Sequence, residues 1–244
     1  MDHSVLREDM VDGLEHSLDQ FDEAVDLAMR NVPRHEFVTD SPYQNKPTAH
    51  RKTNTTILAP TTVARLLTAL AAEPEDDVLI VGAGVGYTAA VLAEIVGDAH
   101  VHAVDITRSL VYEARTNLQR AGYDAVLVDC RDGADGLPEY APYDRILVEA
   151  SAVRPPRRLR SQLAADGRLV MPKGTTDQTL VAIEGGEVVE TFGPLQFKPL
   201  LVDGEQTGGV VRNRTKREDP EYEGRGWHAG SGWEQEWIDW GGHN

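Results

Sequence analysis

The chain has 244 residues, with 24 Lys and Arg against 40 Asp and Glu and a formal net charge of −16. That sign argues against nucleic acid as a main partner, because affinity there rests on neutralising phosphates. The single cysteine, Cys130, cannot close an intramolecular disulfide, which fits a reducing, cytoplasmic compartment. No apolar run approaches the roughly 18 residues of a membrane span, and the start, Met1-Asp2-His3-Ser4, lacks the basic region of a signal peptide. Only five of the 24 basic residues are Lys, a balance that suits a salt-loving cell or simply an acidic cytosolic enzyme. At about 1 M salt the Debye length is about 3 Å, so self-repulsion of an acidic surface is screened.

Apolar residues at helical spacing among Asp and Glu predict two helices, Val5 to Leu18 and Phe21 to Val32, that cap the rest of the chain. From Val32 to Thr56 the sequence is polar and broken by Pro33, Pro42 and Pro47, a long loop of the kind that carries function. Pro60 suits the first turn of a helix over Thr61 to Ala72, with Val63, Leu66, Leu67 and Leu70 on one stripe.

From Asp77 onward, short apolar runs alternate with helical stretches. The runs are Val78 to Val81, Val101 to Val104, Ala125 to Val128, Arg145 to Val148 and Arg168 to Met171. Helical patterns lie at Tyr87 to Val96, Ser109 to Ala121 and Pro156 to Ala164. Near-continuous apolar strands separated by helices predict an α/β class with a mostly parallel, doubly wound sheet. Thr179 to Glu184 and Val188 to Phe192, joined across Gly185-Gly186, predict a hairpin at its far edge and bring the sheet to seven strands. The tail divides from this body near residue 207. It holds the basic cluster Arg212, Arg214, Lys216 and Arg217 and all four tryptophans, with Trp233, Trp237 and Trp240 spaced for a short helix. Three segments result: 1–54, 55–206 and 207–244.

Gly82-Ala83-Gly84-Val85-Gly86 follows the first strand of the sheet. Glycines there let backbone approach a ligand, and the helix beyond offers unpaired N–H groups, although a tight turn alone would also use them. Asp105 ends the next strand, 23 residues beyond Gly82, where a carboxylate can accept both hydroxyls of a ribose or cap the following helix. The Gly-x-Gly-x-Gly spacing departs from the Gly-x-Gly-x-x-Gly of dinucleotide sites, which favours S-adenosylmethionine over NAD. Asp132 with Gly133 follows the third strand and suits either an adenine amino group or an Asp-Gly turn. Glu149 ends the fourth strand at the usual ligand edge, in reach of substrate or of solvent. His100 and His102 lack a completing ligand, so no metal is expected. His35 and Cys130 read as packing residues, and Arg154, Arg157, Arg158 and Arg160 as a solvated face.

Taken in order, these segments resemble the protein-L-isoaspartate O-methyltransferase family. Val32-Pro33-Arg34-His35-Glu36-Phe37-Val38 resembles its N-terminal signature, Thr56-Ile57 with Ala59-Pro60 its substrate loop, and Val78 to Tyr87 its first cofactor motif. Asp132-Gly133, Ala141 to Ile146, Gln162-Leu163, Asp166 to Val170, Pro172 with Gly174, and Phe197 with Pro199-Leu200 continue the series. The resemblance implies a class I, Rossmann-like methyltransferase fold for 55–206 behind an N-terminal cap. It also implies S-adenosyl-L-methionine as cofactor, and repair of damaged proteins by methylation of isoaspartyl carboxylates. It places Gly82, Gly84 and Gly86 at the methionine half of the cofactor, Asp105 at the ribose, Asp132 and Gly133 at the adenine, and Thr56 and Leu58 at the substrate.

The chain departs from the family at four places. Leu58 stands where the family has its active-site Ser, which leaves no catalytic side chain assigned. Ile80 replaces a Glu two positions before the first glycine, Asn45 replaces an acid, and Lys52-Thr53-Asn54-Thr55 lacks the glycines that lead into the substrate loop. With the composition, these mark a divergent, haloarchaeal-type member. Two other readings remain: a methyltransferase with another acceptor, and an inactive S-adenosylmethionine-binding scaffold whose tail engages a partner. An open pocket beside Leu58 favours an enzyme; a filled one favours the scaffold.

Overall fold

The structure is a computed structural model and describes residues 2–53 and 55–200. The basic cluster, the tryptophans and the terminal helix expected in 207–244 lie outside the described residues.

Helix α1 (His3–Ser17) starts where Asp2 accepts from Ser4 N, and it buries Met10, Val11 and Leu14. Helix α2 (Glu23–Asn31) starts at Asp22, whose carboxylate accepts from Ala24 N and Val25 N, and it buries Val25, Ala28 and Met29. Both spacings give one apolar stripe per helix. Arg30 ties the pair together, bonding Asp26 on its own helix and Glu8 and Asp12 on α1 at 2.6–2.9 Å. The proline-broken segment that follows holds a turn at Arg34–Glu36 and the two-residue strands β1 (Thr48–Ala49) and β2 (Thr56–Ile57), paired antiparallel. Helix α3 (Pro60–Leu70) then opens on Pro60, and Asn45 caps it from outside through Oδ1, which accepts from Thr61 N at 3.1 Å.

The sheet comprises β3 (Val78–Val81), β4 (Val101–Asp105), β5 (Leu127–Cys130), β6 (Tyr143–Val148), β7 (Leu163–Lys173), β8 (Thr179–Glu184) and β9 (Glu187–Pro194). Its order is β5-β4-β3-β6-β7-β8-β9; pairings from β5 through β7 are parallel, and β8 runs antiparallel between β7 and β9. The seven-stranded, mostly parallel sheet and its edge hairpin are those expected from the sequence. Helices α4 (Tyr87–Val96) and α5 (Arg108–Ala121) connect the early strands. All four residues of β3 are buried: Val78 and Ile80 join the core shared with α1 to α5, while Leu79 and Val81 join the core on the opposite face. That two-sided burial is why β3 is apolar throughout.

Two expectations need correction. The helix predicted over Pro156 to Ala164 is a single turn, α6 (Arg157–Arg160), in which only Leu159 is buried among arginines. Without a second apolar turn to dock, the chain extends instead, and Leu163 pairs with Tyr143 so that β7 begins five residues before Arg168. The third strand also sits two residues later than predicted, because Cys130 is held opposite Asp105.

Candidate functional site

The carboxyl ends of β3, β4, β5 and β6 open into a cavity of about 710 Å³, at the edge where doubly wound sheets bind ligands. Its floor is the turn after β3. Gly82 N and Ala83 N donate to Val104 O at 2.8 and 2.9 Å, which folds the turn over the end of β4. Gly84 has φ +54° and open space where a Cβ would stand, the arrangement a close ligand approach requires. Gly86 does not line the cavity. At φ +92° it starts α4, and a Cβ there would meet Ala114 O and Leu118 Cγ at 3.3 Å, so its smallness serves the packing of α4 on α5.

Asp105 Oδ2 accepts from Gly84 N at 3.0 Å and Oδ1 from Thr107 N at 2.8 Å. Each oxygen keeps lone-pair capacity for a further donor. Burial raises its pKa, against the lowering effect of the Thr107 and Gly84 N–H groups. Asp132 lines the opposite wall and accepts from Ala134 N at 3.0 Å, so it also forms the turn that an Asp-Gly pair suggests. Gly133 has an internal reason to be glycine, since a Cβ would lie 2.5 Å from Val81 Cγ1. Gly133→Ala is expected to lower stability by about 1–3 kcal/mol through overpacking, measurable as a shift in the thermal midpoint.

The upper wall is Thr55, Thr56, Leu58 and Ala59, faced by residues 195–200. Two buried polar residues hold that closing segment. Gln178 accepts from Phe197 N at 2.7 Å and donates to Phe197 O at 3.0 Å, and the Ser151 backbone pairs with Lys198 O and Leu200 N. Among the described residues the pocket beside Leu58 is open, the arrangement an enzyme requires. Thr56, Leu58, Gly82, Gly84, Asp105, Asp132, Gly133 and Glu149 all border this one cavity.

Two residues beneath it were not assigned a role from sequence. Arg34, 1% exposed, donates through Nε to Pro42 O at 2.8 Å and through Nη2 to Leu58 O at 2.7 Å, with its guanidinium 4.3 Å from the Tyr87 ring centre. Tyr87 in turn meets Phe37 edge-on, which gives the N-terminal signature its purpose: it seats the substrate loop on the start of α4. His35, as expected, packs in the N-terminal loop, with Nδ1 2.7 Å from the Tyr43 hydroxyl. A side chamber of about 30 Å³ lies behind Leu58, lined by Arg34, Thr56, Tyr87, Thr88 and Glu149 among others. Among the described residues, Arg34 Nη1, Tyr87 Oη and Glu149 Oε1 are buried without a hydrogen-bond partner. Burial pushes the Glu149 carboxyl up to about 7; the Thr88 hydroxyl opposes the shift and the charge of Asp105 adds to it.

The cavity suits S-adenosylmethionine. It offers an open glycine cradle and a strand-end carboxylate that can accept from vicinal hydroxyls. Comparison with known proteins agrees. The family model described as protein-L-isoaspartate(D-aspartate) O-methyltransferase matches residues 6–200. The protein-L-isoaspartate O-methyltransferase of Methanocella arvoryzae is 43% identical over 183 residues, covering 71% of this chain and 96% of its own length. That of Methanococcoides burtonii is 40% identical over 191 residues, 74% of this chain and 93% of its own. A solved protein-L-isoaspartate O-methyltransferase matches the fold with a TM-score of 0.70 at 24% identity, over 88% of this chain and 69% of that one. A second, from Plasmodium falciparum in complex with S-adenosyl-L-homocysteine, gives 0.69 at 22% identity over 80% and 98%. With the whole described body matched and the cofactor turn in place, the chain belongs to the protein-L-isoaspartate (D-aspartate) O-methyltransferase family.

Proposed function

We propose that this chain transfers a methyl group from S-adenosylmethionine to the carboxylate of isoaspartyl residues in damaged proteins. The observation that carries the reading is the single open cavity joining the glycine turn and Asp105 to Thr56 and Leu58. The free Cys130 supports a cytoplasmic site of action, and among the described residues no helix is long and apolar enough to cross a membrane.

When bound, the cofactor supplies an electrophilic methyl group on a sulfonium. Gly82 and Gly84 would hold its methionine half, Asp105 its ribose, and Asp132 with Gly133 its adenine. An acceptor carboxylate, with a pKa near 4, is already ionised at pH 7 and needs no base. The chain's work is therefore to align the acceptor oxygen and exclude water. Thr56 and the closing segment at Phe197 supply walls, and Arg34 fixes the substrate loop by its grip on Leu58 O. The Leu58 side chain gives an apolar wall and no donor.

Transfer of labelled methyl to an isoaspartyl peptide, at low and multimolar KCl, tests this reading. We expect ester formation by the parent and a gain of about tenfold in kcat/KM for Leu58→Ser, the worth of one hydrogen bond to a charged group. A parent that binds S-adenosyl-L-homocysteine yet leaves the peptide unmethylated at every salt concentration overturns the acceptor assignment.

A further inference from the structure

Resting on that reading, we propose that Glu149 is the acceptor-binding group of this chain: its carboxyl, carrying a proton, donates a hydrogen bond to the non-reacting oxygen of the isoaspartyl carboxylate. Glu149 directly follows β6, which pairs with β3, and its N–H is bonded to Val81 O at 2.8 Å, which sets its side chain beside the glycine turn. A Cβ on Gly82 would lie 3.2 Å from Glu149 Cβ, so the acid borders the cradle directly. It lines both the main cavity and the chamber behind Leu58, and among the described residues Oε1 is buried with no hydrogen-bond partner. A buried carboxylate with an unpaired oxygen is costly, and the protonated form is the one such a site favours.

The surrounding charges decide between two roles. The titratable and charged groups that share its cavities are Asp105 at the end of β4, Asp132 after β5, Tyr87 on α4, Arg34 in the N-terminal loop and Lys198 after β9. Arg34, the cation of the side chamber, is turned to Pro42, Leu58 and the Tyr87 face rather than to Glu149. An ionised Glu149 beside Asp105 would repel an entering carboxylate, whereas a protonated one donates to it. Glu149 thus supplies, from just beyond β6, the donor that Leu58 lacks. Methyl transfer breaks the carbon–sulfur bond and forms the carbon–oxygen bond with no proton moved, so Glu149 ends the turnover still protonated. Because the acceptor loses its charge in the reaction, this hydrogen bond is strongest before it and acts on KM more than on kcat.

Calorimetry of isoaspartyl peptide binding to the full chain with S-adenosyl-L-homocysteine, in two pH 8 buffers of different ionisation enthalpy, tests the proton directly. We expect uptake approaching one proton per peptide by the parent and none by Glu149→Gln, which keeps a donor but cannot ionise. In turnover, parent kcat/KM should fall above about pH 7, tending to tenfold per pH unit. Glu149→Gln should hold level across that range, and Glu149→Leu should raise KM below about pH 7 and lose the pH dependence of the parent. Equal proton uptake in parent and Glu149→Gln, or superimposable pH profiles in enzymes that methylate the peptide, overturns the role of Glu149 alone. A parent that binds S-adenosyl-L-homocysteine but never the peptide overturns the acceptor reading as well.

Discussion

Arg34→Ala is expected to lower the thermal midpoint by roughly 10 °C and to depress methyl transfer more than cofactor binding. The guanidinium reaches two loop carbonyls, Pro42 O and Leu58 O, that sit on separate stretches of chain. Hydrogen bonds from a charged donor are worth about 1.5–3 kcal/mol each, and the substitution strands both acceptors, so a loss of about 3–4 kcal/mol follows. For a domain of this size each kcal/mol moves the midpoint by about 2–4 °C. Burial lowers the Arg34 pKa from its ordinary value, with the Tyr87 side chain opposing the shift. Arg34→Lys should restore little, because a compact ammonium cannot reproduce the fork that spans two carbonyls. Melting at multimolar KCl, with S-adenosyl-L-homocysteine affinity measured below the transition, separates the two effects. An alanine variant as stable and active as the parent would show that Leu58 is held by other means.

Asp105→Ala should do the reverse, weakening S-adenosyl-L-homocysteine binding by about 100-fold or more, equivalent to about 3 kcal/mol for two charge-assisted hydrogen bonds. Stability should change far less. The folded-state pKa of Asp105 is raised above its ordinary value by burial, so the ionised carboxylate above that range disfavours the folded chain relative to the protonated form. Removing it relieves that burden while it frees Gly84 N and Thr107 N. Calorimetric titration beside a melting scan reads both quantities. Unchanged affinity would remove Asp105 from the ribose site and leave it as the brace between the glycine turn and the start of α5.

The parts of this site that were legible in the sequence are those set by neighbours along the chain. The apolar run of β3, the glycines of its turn and the acid that ends β4 carry their meaning within a few residues, because strand burial, positive φ and strand-end placement are local properties. Glycine spacing alone could not divide ligand approach from packing: Gly84 faces open space, whereas Gly86 meets α5, some 30 residues later. The arginine-rich segment at α6 shows the same limit, since a helix that long needs an apolar face and a surface to receive it.

The sequence by itself determined the fold class, the edge hairpin, the glycine turn and the family, because hydrophobic period and turn chemistry are written residue by residue. Only the tertiary structure decided that Arg34 grips Leu58 from 24 positions away and that Glu149 lies buried against Gly82 with Oε1 unpaired among the described residues. Those facts depend on which surfaces meet, and the cost of burying a polar group is set by its neighbours in space, whatever their distance along the chain.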